Sequence, residues 1–138
     1  MHIREFTLQD YDAVVELWRS AGGGVTLRPS DGRAEIEKKL TRDPDLFLVT
    51  EVDASVVGVI MGAWDGRRGW LYHLTVHPNY RHLGIASSLM EEAERRLRAK
   101  GCLKVNLMVH RDNAIARQLY EHRGYLESTP FVVMGKEL

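Results

Sequence analysis

The stretch from Trp70 to Val109, "WLYHLTVHPNYRHLGIASSLMEEAERRLRAKGCLKVNLMV", constrains this chain more than any other. An aromatic and β-branched run, "WLYHLTV", leads through a short loop into a helical pattern. Ile85, Leu89, Ala93 and Leu97 lie on one face of that helix, and Gly101 closes it as a left-handed cap. A second apolar run, "CLKVNLMV", follows. Two strands joined through a helix cannot form a hairpin, so the connection predicts a right-handed crossover and a parallel pair.

What precedes this unit has the opposite character. "LFLVTEV" and "SVVGVIMGAW" are separated only by Asp53 and Ala54, and "WLYHLTV" comes after the turn signal "DGRRG", which predicts an antiparallel three-strand meander. Upstream, "HIREF" reads as a short alternating strand. Tyr11, Val14, Val15, Leu17 and Trp18 then recur at helical spacing, with Gly22-Gly23-Gly24 as the stop. A second helix is expected in "SDGRAEIEKKLTRDP", with Ser30 or Asp31 as cap, Ile36 and Leu40 one turn apart and Pro44 beyond its end. After "HRDN", the helix "AIARQLYEHR" stops at Gly124, and "FVVMGKEL" is expected to add a final strand. The expected fold is α+β: strand, two helices, three strands, helix, strand, helix, strand, with a mixed central sheet and helices on both faces.

At 138 residues and 44% hydrophobic content, the chain suits a single domain spanning 1–138. Nineteen basic and nineteen acidic side chains cancel, and glutamates interleave the arginines of "EEAERRLRAK". Both facts argue against a nucleic-acid partner, and the helix reads as a solvated face laced by acid-to-base pairs. "MHIREFTLQD" lacks an apolar core of signal-peptide length, and no apolar run approaches the roughly 20 residues that span a bilayer. No membrane partner and a cytoplasmic location are the expectation. Cys102 is the only cysteine and reads as a small buried hydrophobe, while His77, His82 and His110 are scattered on loops as exposed polar residues without metal-ligand spacing. No metal is expected. Met61 and Met108 read as core filler.

The helix entered through "RHLGIA" has a specific opportunity. Four N–H groups at a helix start lack partners, and the aligned peptide dipoles put about half a positive charge there. Gly84 and Ala86 let a bulky anion approach the main chain, and Arg81 adds charge at the rim. Neither the Walker pattern nor the dinucleotide fingerprint is present, since no Gly-Lys-Ser/Thr follows and the later glycines are missing.

"LTVHPNYRHLGIASSLM" resembles the acyl-CoA-binding motif of the GNAT superfamily of N-acetyltransferases, Arg/Gln-x-x-Gly-x-Gly/Ala between the fourth strand and the third helix. In "NAIARQLYEHRGY", Asn113, Ala116, Tyr120, Gly124 and Tyr125 are similar to that superfamily's Asn-x-x-Ala-x-x-x-Tyr-x-x-x-Gly-Phe/Tyr. The order of elements also matches, so the resemblance covers essentially the whole chain.

The resemblance implies an acetyl-CoA-dependent N-acetyltransferase acting on a primary amine of a small molecule or peptide. Its implied acetyl-CoA contacts are the main chain of Leu74, Thr75 and Val76, the cradle Arg81, His82, Leu83, Gly84, Ile85 and Ala86, and Asn113. An amide at Val76 would face the thioester carbonyl. Asn113 also reads as the cap of the last helix, and the two roles are compatible. Tyr120 would protonate the departing thiolate, a transfer uphill by only about 2 kcal/mol if cysteine stands in for coenzyme A.

The base is less defined. At pH 7 an α-amine is about 14% neutral and a lysine-like amine about 0.04%, so the acceptor decides how much help it needs. Some family members carry a glutamate on the fourth or fifth strand; the comparable positions here are Trp70 and Met108, which take no proton. Tyr72, His73 or Glu51 acting through water are the alternatives. The loop "AGGGVTLRPSDGR" suggests a flexible lid with Arg28 recognising an acceptor carboxylate. In the family this chain resembles, members that modify ribosomal-protein N-termini tend to have a longer connection between the last strands, so by that resemblance the short one here favours a small amine or a different peptide. Many proteins similar to this one form homodimers. The alternative from another class is a non-catalytic acyl-CoA sensor.

Overall fold

Side-chain alternation, turn chemistry and one crossover together generate the sheet. The computed structural model describes residues 1–21 and 25–138, which form two compact units, 1–108 and 109–138. The glycine run expected to stop the first helix, Gly22 to Gly24, lies outside the described residues.

In the first unit, β1 (His2–Glu5), β2 (Phe47–Val52), β3 (Ser55–Trp64), β4 (Gly69–Val76) and β5 (Val105–Leu107) form a five-stranded sheet in the order β1-β2-β3-β4-β5. The first four are antiparallel neighbours, and β4 pairs β5 in parallel, as the connectivity predicts. Asp53 and Ala54 both take positive φ in the two-residue β2–β3 turn. Asp65 closes the next turn by accepting the N–H groups of Arg67 and Arg68 at 2.7 Å.

Helices cover both faces. The helix α1 (Tyr11–Arg19) buries Val14, Leu17 and Trp18, and α2 (Arg33–Lys39) buries Ile36. These side chains pack with Phe6, Phe47, Val49 and Val59 on one face of the sheet. Period-2 alternation sends Leu48, Thr50 and Gly58 to the other face. There α3 (Ile85–Ala99) lies so close that a Cβ on Gly58 would stand 2.8 Å from the Ile85 side chain, and one on Gly69 would stand 2.9 Å from that of Leu97. The polar face of α3 is laced as expected, with Glu92 held by Arg95 at 2.6 Å and Arg96 at 2.9 Å. Cys102 is buried, its thiol 3.2 Å from the Lys104 carbonyl.

Three expectations are corrected. The cap of α2 is Gly32, not Ser30 or Asp31, because Asp31 closes a preceding 3₁₀ turn and its carboxylate is engaged elsewhere. Met108 is 55% exposed rather than core, because β5 ends before it. His77 is half-buried, its ring accepting the Asn79 N–H and packing edge-on to Tyr80.

The second unit holds α4 (Ala114–His122), which ends at Arg123 with Gly124 left-handed beyond it. No strand follows among the described residues, so five strands are present where six were expected. Phe131, Val132, Val133 and Met134 are exposed. A strand needs a hydrogen-bonding edge, and this unit offers only a helix.

Candidate active site

The two neighbours of β4 differ in length, and the site follows from that difference. On one side β3 pairs with β4 as far as Val76; on the other, β5 pairs only with Gly69, Trp70 and Leu71. From Tyr72 onward, the β5-facing edge of β4 has no strand partner among the described residues. The His77 N–H donates to the Val57 carbonyl across β3 at 2.8 Å, so by alternation the Val76 N–H points to the open edge. This is the donor that the resemblance assigns to a thioester carbonyl.

A bulge divides β4 at the point where β5 stops. Val59 faces Thr75 while Met61 faces Tyr72, leaving two residues of β4 opposite Ile60. One of them, His73, has φ +53, a left-handed conformation rare within a strand. Met61 and Val59 belong to the face under α1 and α2, so their partners Tyr72 and Thr75 do too. His73 also reaches that side, packing edge-on to Trp18 at 5.0 Å between ring centroids. Thr75 is buried, and its hydroxyl donates to the His73 carbonyl at 3.1 Å.

Beyond Val76 the chain makes a 3₁₀ turn, Pro78–Tyr80, and enters the loop Arg81 to Gly84. His82 and Gly84 take left-handed φ of 65° and 81°. Gly84 is the N-cap of α3, and the next three N–H groups, of Ile85, Ala86 and Ser87, donate to no side chain among the described residues. A Cβ at Gly84 would meet nothing within 4 Å, so open space lies above the helix start. Arg81, His82, Leu83 and Gly84 are exposed, whereas Ile85 is buried as the first anchor of α3. The Arg81 guanidinium donates to the Val76 carbonyl at 3.4 Å, tying the loop to the end of β4. These residues fit a phosphate-bearing substrate: donors converge, positive charge stands at the rim, and no side chain fills the space.

In the second unit, Asn113 caps α4, its Oδ1 accepting the Ala116 N–H at 3.1 Å. Tyr120 lies two turns along the helix and packs edge-on to Tyr125 at 6.2 Å. Burial pushes the Tyr120 phenol above its ordinary value.

The proposed bases differ in kind. Tyr72 stacks on Trp70, and burial raises its phenol, so it holds its proton more firmly. Glu51 receives the Arg4 guanidinium at 3.2 Å. His73 meets Asp31 at 2.9 Å between Nε2 and Oδ1. Arg28 is exposed, and its main-chain N–H donates to Asp31 Oδ2 at 3.0 Å. Asp31 is the residue that sequence reasoning passed over as a helix cap; its partner lies 42 positions away, and no local pattern announces the pair.

The family model described as the acetyltransferase (GNAT) family matches residues 11–125. An acetyltransferase of Sodalis glossinidius (strain morsitans) is 46% identical over 139 residues, covering 100% of this chain and 96% of that protein. Among solved structures, Ard1 from Thermoplasma volcanium superposes with a TM-score of 0.76 at 28% identity, covering 91% of this chain and 82% of that one. The PaiA N-acetyltransferase from Thermoplasma acidophilum, solved in complex with coenzyme A, gives 0.79 at 24% identity, covering 89% and 87%.

Proposed function

Because the chain belongs to the GNAT acetyltransferase family and is an N-acetyltransferase, we propose that it transfers acetyl from acetyl-CoA to a primary amine by direct attack, with 1–138 acting as one domain. The observation that carries this reading is the open start of α3 beside the unpartnered edge of β4. The family match also runs across the boundary between the two units.

Main-chain groups of Leu74, Thr75 and Val76 would receive the pantetheine arm along the edge of β4, in the manner of an added strand. The amides from Arg81 to Ala86 would hold the pyrophosphate, where the helix dipole favours negative charge. Asn113 already caps α4 through its oxygen, which leaves its amide NH₂ to donate to coenzyme A. The Val76 N–H would stabilise the oxyanion that forms as the amine attacks. Carbon–sulfur cleavage then releases a thiolate, and Tyr120 would supply its proton. A phenol raised by burial keeps its proton at neutral pH, and the transfer to the thiolate is then more uphill than from an ordinary phenol.

Arg28, exposed ahead of α2, would take a carboxylate on the acceptor; Arg28→Ala should then raise the acceptor KM and leave acetyl-CoA binding unchanged. Candidate acceptors are aminoglycosides, polyamines, amino acids and peptide termini. One neighbour, AAC(6')-Iy, was solved with the bisubstrate analogue CoA-S-monomethyl-acetylneamine; at 19% identity that likeness concerns the fold. We place the protein in the cytoplasm, where acetyl-CoA is made; among the described residues no helix is long and apolar enough to cross a membrane.

Calorimetric titration with acetyl-CoA, with adenosine diphosphate as control, tests the reading. Saturable binding that exceeds the control supports it and leads to the acceptor panel. Absence of heat and of thermal stabilisation overturns it.

A further inference from the structure

Strand β4 carries an aspartate–histidine pair that the transfer reading leaves unexplained. The Asp31 side chain is 10% exposed, and its two oxygens are engaged separately: Oδ2 accepts the Arg28 N–H at 3.0 Å, and Oδ1 meets His73 Nε2 at 2.9 Å. The His73 side chain keeps 24% exposure. Its ring is held on a second side by Trp18, and its main chain is locked in the left-handed bulge, with its carbonyl accepting the Thr75 hydroxyl. Ring, main chain and partner are therefore all fixed.

A carboxylate only accepts, so the proton of a neutral His73 sits on Nε2. The lone pair is then on Nδ1, and no hydrogen bond to Nδ1 occurs among the described residues. We propose that His73 is the general base for the acceptor amine, acting through Nδ1, and that Asp31 is the positioning residue that fixes its tautomer and angle. This rests on the transfer reading above. The acceptor ammonium gives a proton to Nδ1, and imidazole becomes imidazolium beside the Asp31 carboxylate. The neutral amine forms the carbon–nitrogen bond, the carbon–sulfur bond breaks, and the thiolate takes its proton from Tyr120; the nitrogen then gives up its second proton through solvent to the Tyr120 phenolate, and the imidazolium releases the first to water.

Tyr72 adjoins His73 on β4. From α1 the Tyr11 hydroxyl donates to the Asp31 carbonyl at 2.9 Å, and from α2 the Arg33 guanidinium lies 5.5 Å from the centre of the Tyr11 ring. The pair also joins the 3₁₀ turn Pro29–Asp31 to β4.

The first test is the imidazole tautomer, read from nitrogen-15 histidine spectra of the whole chain. His73 should carry its proton on Nε2 when neutral, and Asp31→Asn should remove that preference. A proton on Nδ1 in the parent, or an unchanged tautomer in Asp31→Asn, overturns the proposal.

Since Asp31 also holds the Arg28 N–H, His73→Asn provides a second test; asparagine tolerates a left-handed φ. With an ammonium acceptor at pH 7, His73→Asn should lower kcat/KM by roughly 100-fold or more, while hydroxylamine, already neutral, should lose no more than about threefold. The acidic limb of the kcat/KM profile with the ammonium acceptor should move to the acceptor's own deprotonation, since only the neutral amine then reacts. Equal losses with both nucleophiles and intact acetyl-CoA binding bring down the base role alone. A parent that binds no acetyl-CoA brings down the transfer reading, and the base role with it.

Discussion

Helices α3 and α4 begin in opposite ways. At α3 the N-cap is a left-handed glycine, and no side chain closes the first turn; at α4, Asn113 closes its own helix by accepting the Ala116 N–H. An unclosed helix start forgoes the roughly 0.5–2 kcal/mol that a capping side chain contributes. That cost is understandable where an incoming anion supplies the missing acceptor, because the ligand then restores what the chain omits. Under the proposed function the difference teaches a division of labour: the start of α3 would be left for the ligand to close, whereas α4 closes itself, with only the Asn113 NH₂ to spare, and would carry a chemical group along its length.

The division breaks most visibly at Tyr120. Replacing it with phenylalanine should slow single-turnover acetyl transfer by about 10²–10⁴-fold with acetyl-CoA affinity nearly intact. Weakened affinity with unchanged transfer would give α4 the binding role instead. Next in size is Gly84→Asp, which closes α3 with a carboxylate where a phosphate belongs. Acetyl-CoA affinity measured by calorimetry should fall about 10–100-fold, the worth of charge-assisted hydrogen bonds. Asp tolerates φ of +81° better than most residues, so the melting temperature should change little.

Asn113→Ala opens the closed helix. It should cost about 1 kcal/mol, a fall of about 3 °C in the melting temperature. Faster hydrogen exchange of the Ala116 amide would trace the loss to the cap. The smallest effect belongs to Arg81→Gln: an exposed charge at a helix start is worth about 1 kcal/mol or less, so affinity should drop a few-fold. Raising the salt concentration should shrink that difference, since screening acts on exposed charge.

What was legible in the sequence was whatever a local pattern encodes. The parallel β4–β5 pair follows from a strand-helix-strand run, the meander from two short turns, and the open start of α3 from one glycine ahead of a periodic helix. Features that depend on distant partners were not legible. The left-handed φ of His73 arises from a bulge counted against β3, and its contact with Asp31 exists only once the turn Pro29–Asp31 has come to β4. "FVVMGKEL" has strand-forming residues, but propensity supplies no hydrogen-bonding edge, and the segment forms no strand. Met108 failed for a related reason: its apolar side chain suggested core, while the short β5 left it past the last paired residue.

Gly58 lies on the face of β3 that meets Ile85 and Leu89, the first buried residues of α3, with room for a hydrogen and not for a methyl group. The height of α3 above the sheet is therefore calibrated by a side chain that is missing. An alanine at 58 would raise the first turn and carry the unclosed N–H groups with it, shifting the anion cradle proposed there as a body while leaving each of its own residues unchanged. The cradle has a foundation that never meets its cargo, and a map of the site drawn only from ligand contacts would leave out the residue that levels it.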